Sequence, residues 1–497
     1  MKKVIVIGAG ISGLSAAIYA QRSGFNVTIC DQHSMAGGMC TSWKRSGYLF
    51  EGAVHWLTGS SPKTKLNTVW KETGALNDDV PIILQEQFHA LDWNGKTINL
   101  YRDIDKTAQI LLELSPEDGP QIRRLVKDVK AFSGFQMPVV DIKGVKAQNP
   151  KRFEAGSLLK MLPALPKLPG LSNISCHDYL QKFKHPAIRM LLGIVPDGYN
   201  ALSLIFTLSS LNFGDGGYPE GGSLAMIKRM VGTFEQLGGT LMLNTRVKRV
   251  RIENNIAGES ARAATGVMLE NGTALDADAV IVTQETIAAH ERLFETPPGD
   301  KWLTELKKNT KPEVCTFIGM GIRCELPKPI VPLWVLDEPI RYAGRTQETL
   351  GFYNNANLEN YAPKNCSVLT TSFIGDTFEF WYKAKKEGRY EEEKEALANQ
   401  IKLALCKKYP VAEGNIEVID IATPLTYERY TGAYHGSWMS ITGAGSRMTI
   451  YPGFSKELSG LYFAGHRIMP PGGLPTAVFT GRNAAQMVCR QFDMVFK

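Results

Sequence analysis

No C-x-x-C pair occurs among the eight cysteines (Cys30, Cys40, Cys176, Cys315, Cys324, Cys366, Cys406 and Cys489), and no His/Cys cluster has zinc-ligand spacing. Neither a redox dithiol nor a bound metal is therefore expected, and free thiols point to a reducing, cytoplasmic setting. Long hydrophobic runs are also missing. The apolar stretch Val4–Ile7 is cut off by glycines, too early for a signal peptide. The uncharged stretch from Gly198 to Gly214 carries Asn200, Asn212 and several serines, and falls short of the roughly 20 apolar residues a spanning helix needs. Charge of one sign is scarce: 56 Lys and Arg face 49 Asp and Glu, a net +7 over 497 residues, too little for an evenly spread nucleic-acid surface. The excess is local. Between Arg123 and Ala187 there are 12 Lys and Arg against 4 Asp and Glu, so this one segment accounts for all of it. With 44% hydrophobic residues, disorder is excluded, and the length suits two or three domains enclosing a cavity.

What is present begins with a βαβ unit: a strand Val4–Ile7, a glycine turn, a helix from about Ser12 to Ser23, and a strand Val27–Cys30. The turn reads Gly8-Ala9-Gly10-Ile11-Ser12-Gly13, and Asp31 closes the second strand. This G-x-G-x-x-G has the context that makes the motif specific. The first glycine permits the turn, the second lets a pyrophosphate approach the backbone, and the third lets helix and sheet pack closely. The helix N-terminus offers free N–H groups to the phosphates, and Asp31 can accept from a ribose while disfavouring a 2′-phosphate. Neither Gly443-Ala444-Gly445 nor Gly214 to Gly222 supplies a second such turn, so one dinucleotide is expected. Further on, a helix near Ser223–Leu237, a strand Thr240–Ile252 and a hairpin of Gly266–Leu269 with Ala274–Val282 follow, the hairpin turning at Asn271-Gly272. The chain closes with a strand Leu461–Ala464 and a helix from Pro475.

Three further blocks carry a family resemblance. Ala36-Gly37-Gly38 with Gly47-Tyr48-Leu49-Phe50-Glu51-Gly52-Ala53-Val54-His55 is similar to the G-G and F-D-x-G-x-H stretch of the phytoene desaturase, carotenoid isomerase and retinol saturase family of FAD-dependent oxidoreductases. Gly221-Gly222-Ser223, Asn244-Thr245-Arg246-Val247 and Gly266-Val267 resemble that family's second FAD-contacting segment. Phe463-Ala464-Gly465, Pro470-Pro471-Gly472-Gly473-Leu474-Pro475-Thr476 and Gly481 resemble its closing motif. The sequence differs from the family pattern at Met39, Glu51, Ala53 and His466.

The resemblance implies an α/β protein with a Rossmann-type FAD-binding domain, glutathione reductase-like, formed by residues 1–80, 215–290 and 421–497. A discontinuous α+β substrate domain would then comprise residues 81–214 and 291–420. FAD is the implied cofactor, bound by Gly8, Gly10, Ile11, Ser12, Gly13, Asp31, Gly37, Gly38, Val247 (through its backbone), Gly465, His466, Gly473, Thr476 and Ala477. The last two would donate N–H groups to the flavin, and His55 is the candidate catalytic residue. The implied substrate is an apolar polyene or isoprenoid lipid undergoing desaturation, saturation or isomerisation, with no redox partner indicated. Two alternatives stand beside it: a flavin amine oxidase, and a non-catalytic prenyl-lipid binder of the GDP-dissociation inhibitor type. Residues 151–171 interleave Lys151, Arg152, Lys160 and Lys167 with leucines, the pattern of a segment that docks on the inner face of a membrane. The prolines at 163, 166 and 169 suggest an extended, turn-rich loop there.

Overall fold

In the computed structural model, which describes residues 1–152, 155–254, 262–446 and 449–497, strand β1 (Lys3–Ile7) buries Val4, Ile5, Val6 and Ile7 together. A strand with such a continuous apolar run needs cover on both faces. It lies at the centre of a five-stranded parallel sheet with β2 (Asn26–Cys30), β3 (Thr240–Met242), β4 (Ala279–Val282) and β5 (Leu461–Phe463), in the order β5-β4-β1-β2-β3. On one face, Val4, Val6, Val27, Ile29 and Ile281 meet α1 (Ile11–Arg22), α2 (Gly222–Gln236) and α3 (Leu474–Gln491). α1 and α3 touch because their facing residues are small. A Cβ on Gly481 would overlap the Ser12 carbonyl, and the Ser15 hydroxyl donates to the Val478 carbonyl at 2.7 Å.

The other face presents Ile5, Ile7, Val280 and Val282 to a small antiparallel sheet (Val247–Asn254, Arg262–Leu269 and Ala274–Asp276) and to the helices Thr286–Arg292 and Lys301–Asn309. Two strands expected to be continuous are therefore each divided between sheets. The run 240–252 breaks at Asn244, whose φ of +50° turns the backbone, and Asn244 and Thr245 donate their N–H groups to the carbonyls of His33 and Asp31. The run 274–282 leaves the hairpin after Asp276 to become β4.

A second, seven-stranded sheet runs in the order Ile416–Ala422, Cys315–Ile322, Ser367–Ile374, Arg345–Asn354, Ile330–Tyr342, Gln87–Trp93, Lys96–Tyr101. Its pairings are antiparallel except where Leu333 meets Leu91. Helices Phe378–Lys386 and Tyr390–Lys408 cover it through Trp381, Leu397, Ile401 and Leu405. A helical layer drawn from residues 104–212 packs at its Gln87–Tyr101 end. The boundaries are less clean than the sequence suggests. Helix Lys301–Asn309 shares the nucleotide-side core, and Asp141 accepts from Arg482 of α3 at 2.6 Å. The strand Ile416–Ala422 crosses the expected boundary at 420.

The proline-rich stretch is also not extended. It forms short helical turns at Ala155–Met161, Leu165–Lys167 and Leu168–Ser172, the last two with proline in the first turn, where no N–H is needed. Part of the expected docking segment, residues 153 and 154, lies outside the described residues.

Candidate active site

The dinucleotide turn shows why its three glycines differ. Gly8 has φ +107°, and a Cβ there would sit 2.9 Å from Thr283 Oγ1; a Cβ on Gly13 would overlap the Gly8 carbonyl. Both are demanded by the protein's own packing. Gly10 is different: its φ is −73°, open to any residue, and a Cβ would meet only the Gly37 carbonyl at 3.8 Å. The space in front of it belongs to a cavity that Gly8, Gly10, Ile11 and Ser12 line. Gly10 is also the N-cap of α1 and provides no capping side chain, so the first N–H groups of a buried helix end face the cavity unsatisfied by a cap. That arrangement fits a pyrophosphate. Gly13 is absent from the cavity wall and acts from behind, by packing.

Asp31 lines the same cavity. Its carboxylate already accepts from the Ala9 N–H at 2.7 Å and the His33 N–H at 2.8 Å, which aims it while leaving lone pairs for a ribose. Gly37 donates to the Ala9 carbonyl at 2.9 Å, and a Cβ on Gly38 would lie 3.5 Å from Gly10 Cα, so the glycine pair closes over the turn. Val247, at the start of its strand, lines the cavity beside Thr245 and Arg246 at the Asp31 end.

The loop carrying His55 is anchored by a residue whose role the sequence did not disclose. Glu51 is fully buried and accepts from the N–H groups of Ala53 and Val54 at 3.1 Å, from the Ser223 N–H at 3.1 Å, and from Tyr218 and Tyr361 at 3.1 and 3.2 Å. The Ser223 N–H opens α2, so the carboxylate sits on the positive end of that helix. Gly222 is required because a Cβ would overlap Glu51. His55 itself lines the cavity and stacks on Tyr353 with ring centroids 5.1 Å apart and planes 14° apart. Burial pushes its pKa down, with the Glu51 charge opposing.

Beside the dinucleotide turn stands Gly465, where a Cβ would lie 4.0 Å from Ser12 Oγ, and the cavity wall continues through His466, Gly472 and Gly473. Gly465 adopts φ +141° and donates its N–H to Thr480 Oγ1 at 3.0 Å. Burial lowers the His466 pKa to about 3, with the Arg467 charge adding, so the ring is neutral. Arg467 lines the cavity but does not face solvent. It is a buried ion pair with Glu285 at 2.9 Å that also donates to Ser437 at 2.6 Å and to the Met439 carbonyl at 3.0 Å. α3 begins at Leu474, one residue earlier than expected, on the N-cap Gly473. Of the two donors expected there, Ala477 is corrected: its N–H is bonded to the Gly473 carbonyl at 3.0 Å. Thr476 lies in the first turn, where helix N–H groups have no intrahelical acceptor, and it is buried beside the cavity rather than on its wall.

The cavity measures about 1710 Å³, well beyond the roughly 300–1,000 Å³ of a site for one drug-sized ligand. Beyond the glycine turns it is walled by Phe88, Phe135, Leu202, Phe206, Leu333 and Phe352, brought from the helical layer and the seven-stranded sheet. His89 stands among them, neutral because burial lowers its pKa to about 4. Tyr427 and Tyr430 also reach the wall, whereas Tyr434 stacks on His435. The basic segment is divided. Lys151 pairs with Glu72 at 2.5 Å and Lys167 with the buried Asp128, while Arg152 and Lys160 are exposed. Leu159, Leu162 and Leu165 face outward, and Leu168 lines the cavity. Among the described residues no group of His, Cys, Asp and Glu is placed to hold a metal, and no helix is long and apolar enough to cross a membrane.

A phosphate cradle at the C-terminal edge of a parallel sheet, opening into a cavity with room for a second occupant, defines a dinucleotide-binding protein of the flavoprotein class. The chain belongs to the flavin containing amine oxidoreductase family, which matches residues 11–489, and FAD is its cofactor. It is similar to a phytoene desaturase (lycopene-forming) of Paracoccus sp., with 25% identity covering 98% of this chain and 97% of that protein. It is also similar to an all-trans-retinol 13,14-reductase of Danio rerio, with 23% identity over 92% of this chain and 79% of that protein. A putrescine oxidase variant has the same fold, with TM-score 0.61 and 17% identity, covering 99% of each chain.

Proposed function

We propose that this FAD-dependent oxidoreductase acts on carbon–carbon bonds of an apolar polyene or isoprenoid lipid, by desaturation, saturation or cis-trans isomerisation. The observation that carries the reading is the continuity of one cavity, from the cradle at Gly10 to a wall of phenylalanine and leucine. The names of relatives aligned over nearly the whole chain, a phytoene desaturase and a retinol reductase, support the same substrate class. When bound, the flavin supplies the hydride chemistry that no side chain has. The chain's own part is to hold and orient. Gly8, Gly10, Ile11 and Ser12 take the pyrophosphate, Asp31 the ribose and Val247 the adenine, under the cover of Gly37 and Gly38. Gly465, His466, Gly473 and Thr476 flank the flavin end, and His55 faces the substrate. The apolar wall keeps water from the reacting carbons.

The substrate's solubility goes with a membrane-facing mouth. The outward leucines of residues 159–165 and the exposed Arg152 and Lys160 suit peripheral attachment to an anionic surface, and eight free thiols suit its cytoplasmic side. Anaerobic visible spectra of the FAD-loaded protein, oxidised or pre-reduced, test the substrate class. Phytoene or all-trans-retinol should change the flavin redox state, and primary amines should not. Flavin reduction by amines with neither polyene active would overturn the reading in favour of the amine oxidase.

A further inference from the structure

Glu313 is a carboxylic acid in an unusual place. Its side chain is almost fully buried, yet it lines the cavity, on the short strand Pro312–Glu313 that pairs with Met439–Ser440. The next strand over is tied to the proline-glycine turn before α3, because the Ser440 N–H donates to the Pro471 carbonyl at 3.0 Å. Glu313 therefore stands in the wall close to the end of the cavity assigned above to the flavin.

Its surroundings give it two protonation states rather than one. Oε2 accepts a short hydrogen bond from the Tyr199 hydroxyl, and among the described residues Oε1 has no hydrogen-bond partner. Tyr199 Oη also lies 3.3 Å from the Ser440 carbonyl. When the carboxyl is ionised, the phenol can donate to it. When the carboxyl is protonated, it can donate to the phenol oxygen, and the phenol turns its proton to Ser440. Burial pushes the Glu313 pKa up to about 6, against the lowering effect of the Tyr199 bond. The groups facing the pair are few. Cys315 keeps its proton, pushed up by burial to about 12, and the Arg467 charge, which acts on Tyr199, is neutralised by Glu285. The Trp438 indole N–H, also buried and on the cavity wall, has no partner among the described residues.

We propose that Glu313 is a catalytic proton carrier of this site, with Tyr199 as its positioning residue. The proposal rests on the reading of the cavity as one where hydrogen is exchanged with a polyene. In the desaturating direction, one C–H bond of the substrate would give up its hydrogen and electron pair as hydride, which FAD, when bound, would accept. The adjacent C–H bond then breaks, its proton passes to the Glu313 carboxylate, and its electrons become the new π bond. In the saturating direction, Glu313 gives its proton to one carbon while the other would take the hydride that reduced FAD, when bound, would supply.

Infrared titration of the FAD-loaded protein reads the carrier without turnover. A protonated-carboxyl band should appear with a midpoint near pH 6 and vanish in Glu313→Gln. In Tyr199→Phe the midpoint should rise, because the carboxylate loses a donor that stabilises its charge. With phytoene as the probe, single-turnover flavin reduction should rise with pH through that midpoint. In Glu313→Gln it should lose about 100-fold and its pH dependence, as loss of a general base does, with flavin absorbance unchanged. A Glu313→Gln protein that reduces at the wild-type rate, or a wild type with no carboxyl band titrating between pH 5 and 7.5, overturns the proposal. Should neither phytoene nor all-trans-retinol react with wild type, the polyene reading fails. The proton-carrier role, which rests on that reading, then falls with it, whereas turnover of the polyene by wild type and Glu313→Gln at the same rate ends the carrier alone.

Discussion

A methyl group added to the N-terminal turn would meet a different fate at each glycine, and the difference separates folding from binding. At Gly13 it runs into the Gly8 carbonyl, backbone that cannot move aside without parting α1 from the sheet. At Gly10 it has room, and only a ligand's phosphates would object. Gly10→Val should therefore fold with a melting temperature close to that of the apo wild type while losing flavin absorbance. Gly13→Val should melt far lower or fail to accumulate. Full flavin retention in a folded Gly10→Val protein would refute the cradle. The same comparison explains what was readable beforehand. Gly8, Gly10, Gly13 and Asp31 state their purpose within 24 residues of chain, because strand, turn, helix and acid must follow one another in fixed order. Glu51 stated nothing, since its partners Ser223, Tyr218 and Tyr361 come from distant parts of the chain and only the fold gathers them. Tyr199 and Glu313, 114 residues apart, are of the same kind.

Among the elements, helices were easier to foresee than strands, and the reason is pairing. α1, α2 and α3 each follow glycines that a close approach requires, whereas the run 240–252 looks like one strand until Asn244 turns it between two sheets. The N-terminus of α3 carries a prediction of its own. It begins on Gly473 with φ +87°, no side chain caps it, and Ala477 has already spent its N–H inside the helix. The groups left to interact with a flavin are those of the first turn, Leu474 and Thr476. If the flavin ring lies at this turn, as proposed, the helix end would stabilise the negative charge of its reduced form by about 1–2 kcal/mol in a partly buried site. Thr476→Pro deletes one such N–H at a position where proline is tolerated. The flavin potential should then fall by roughly 20–40 mV for a two-electron couple. An anaerobic dye titration giving the wild-type potential, with FAD still bound, would remove this helix from the flavin's surroundings.

For the molecule as a whole, the question is how the lipid-dissolved substrate proposed above would reach a cavity about 1710 Å³ in volume, lined by residues of two sheets and a helical layer. The local charge excess pointed to residues 151–171, but the fold changes which of them can act. Lys151 and Lys167 are directed inward to Glu72 and Asp128, and Asp128 is buried, so Lys167→Gln should lower the melting temperature by stranding that carboxylate and leave vesicle binding unchanged. The outward set is Arg152 and Lys160 together with Leu159, Leu162 and Leu165, which are 68%, 51% and 38% exposed. Leu168, a few residues on, faces the cavity, so a membrane touching the outer leucines would lie against the wall of the substrate path itself. Each cation near an anionic surface contributes about 1 kcal/mol, and each leucine entering the interface about as much or more. Arg152→Gln with Lys160→Gln should thus weaken binding to phosphatidylglycerol-containing vesicles about 10- to 30-fold at low salt, with the difference closing at high salt. Leu162→Asp with Leu165→Asp should weaken it at every salt concentration, because burial of apolar surface is not screened. Equal sedimentation of wild type and both double variants with such vesicles would leave the segment as a wall of the cavity and nothing more.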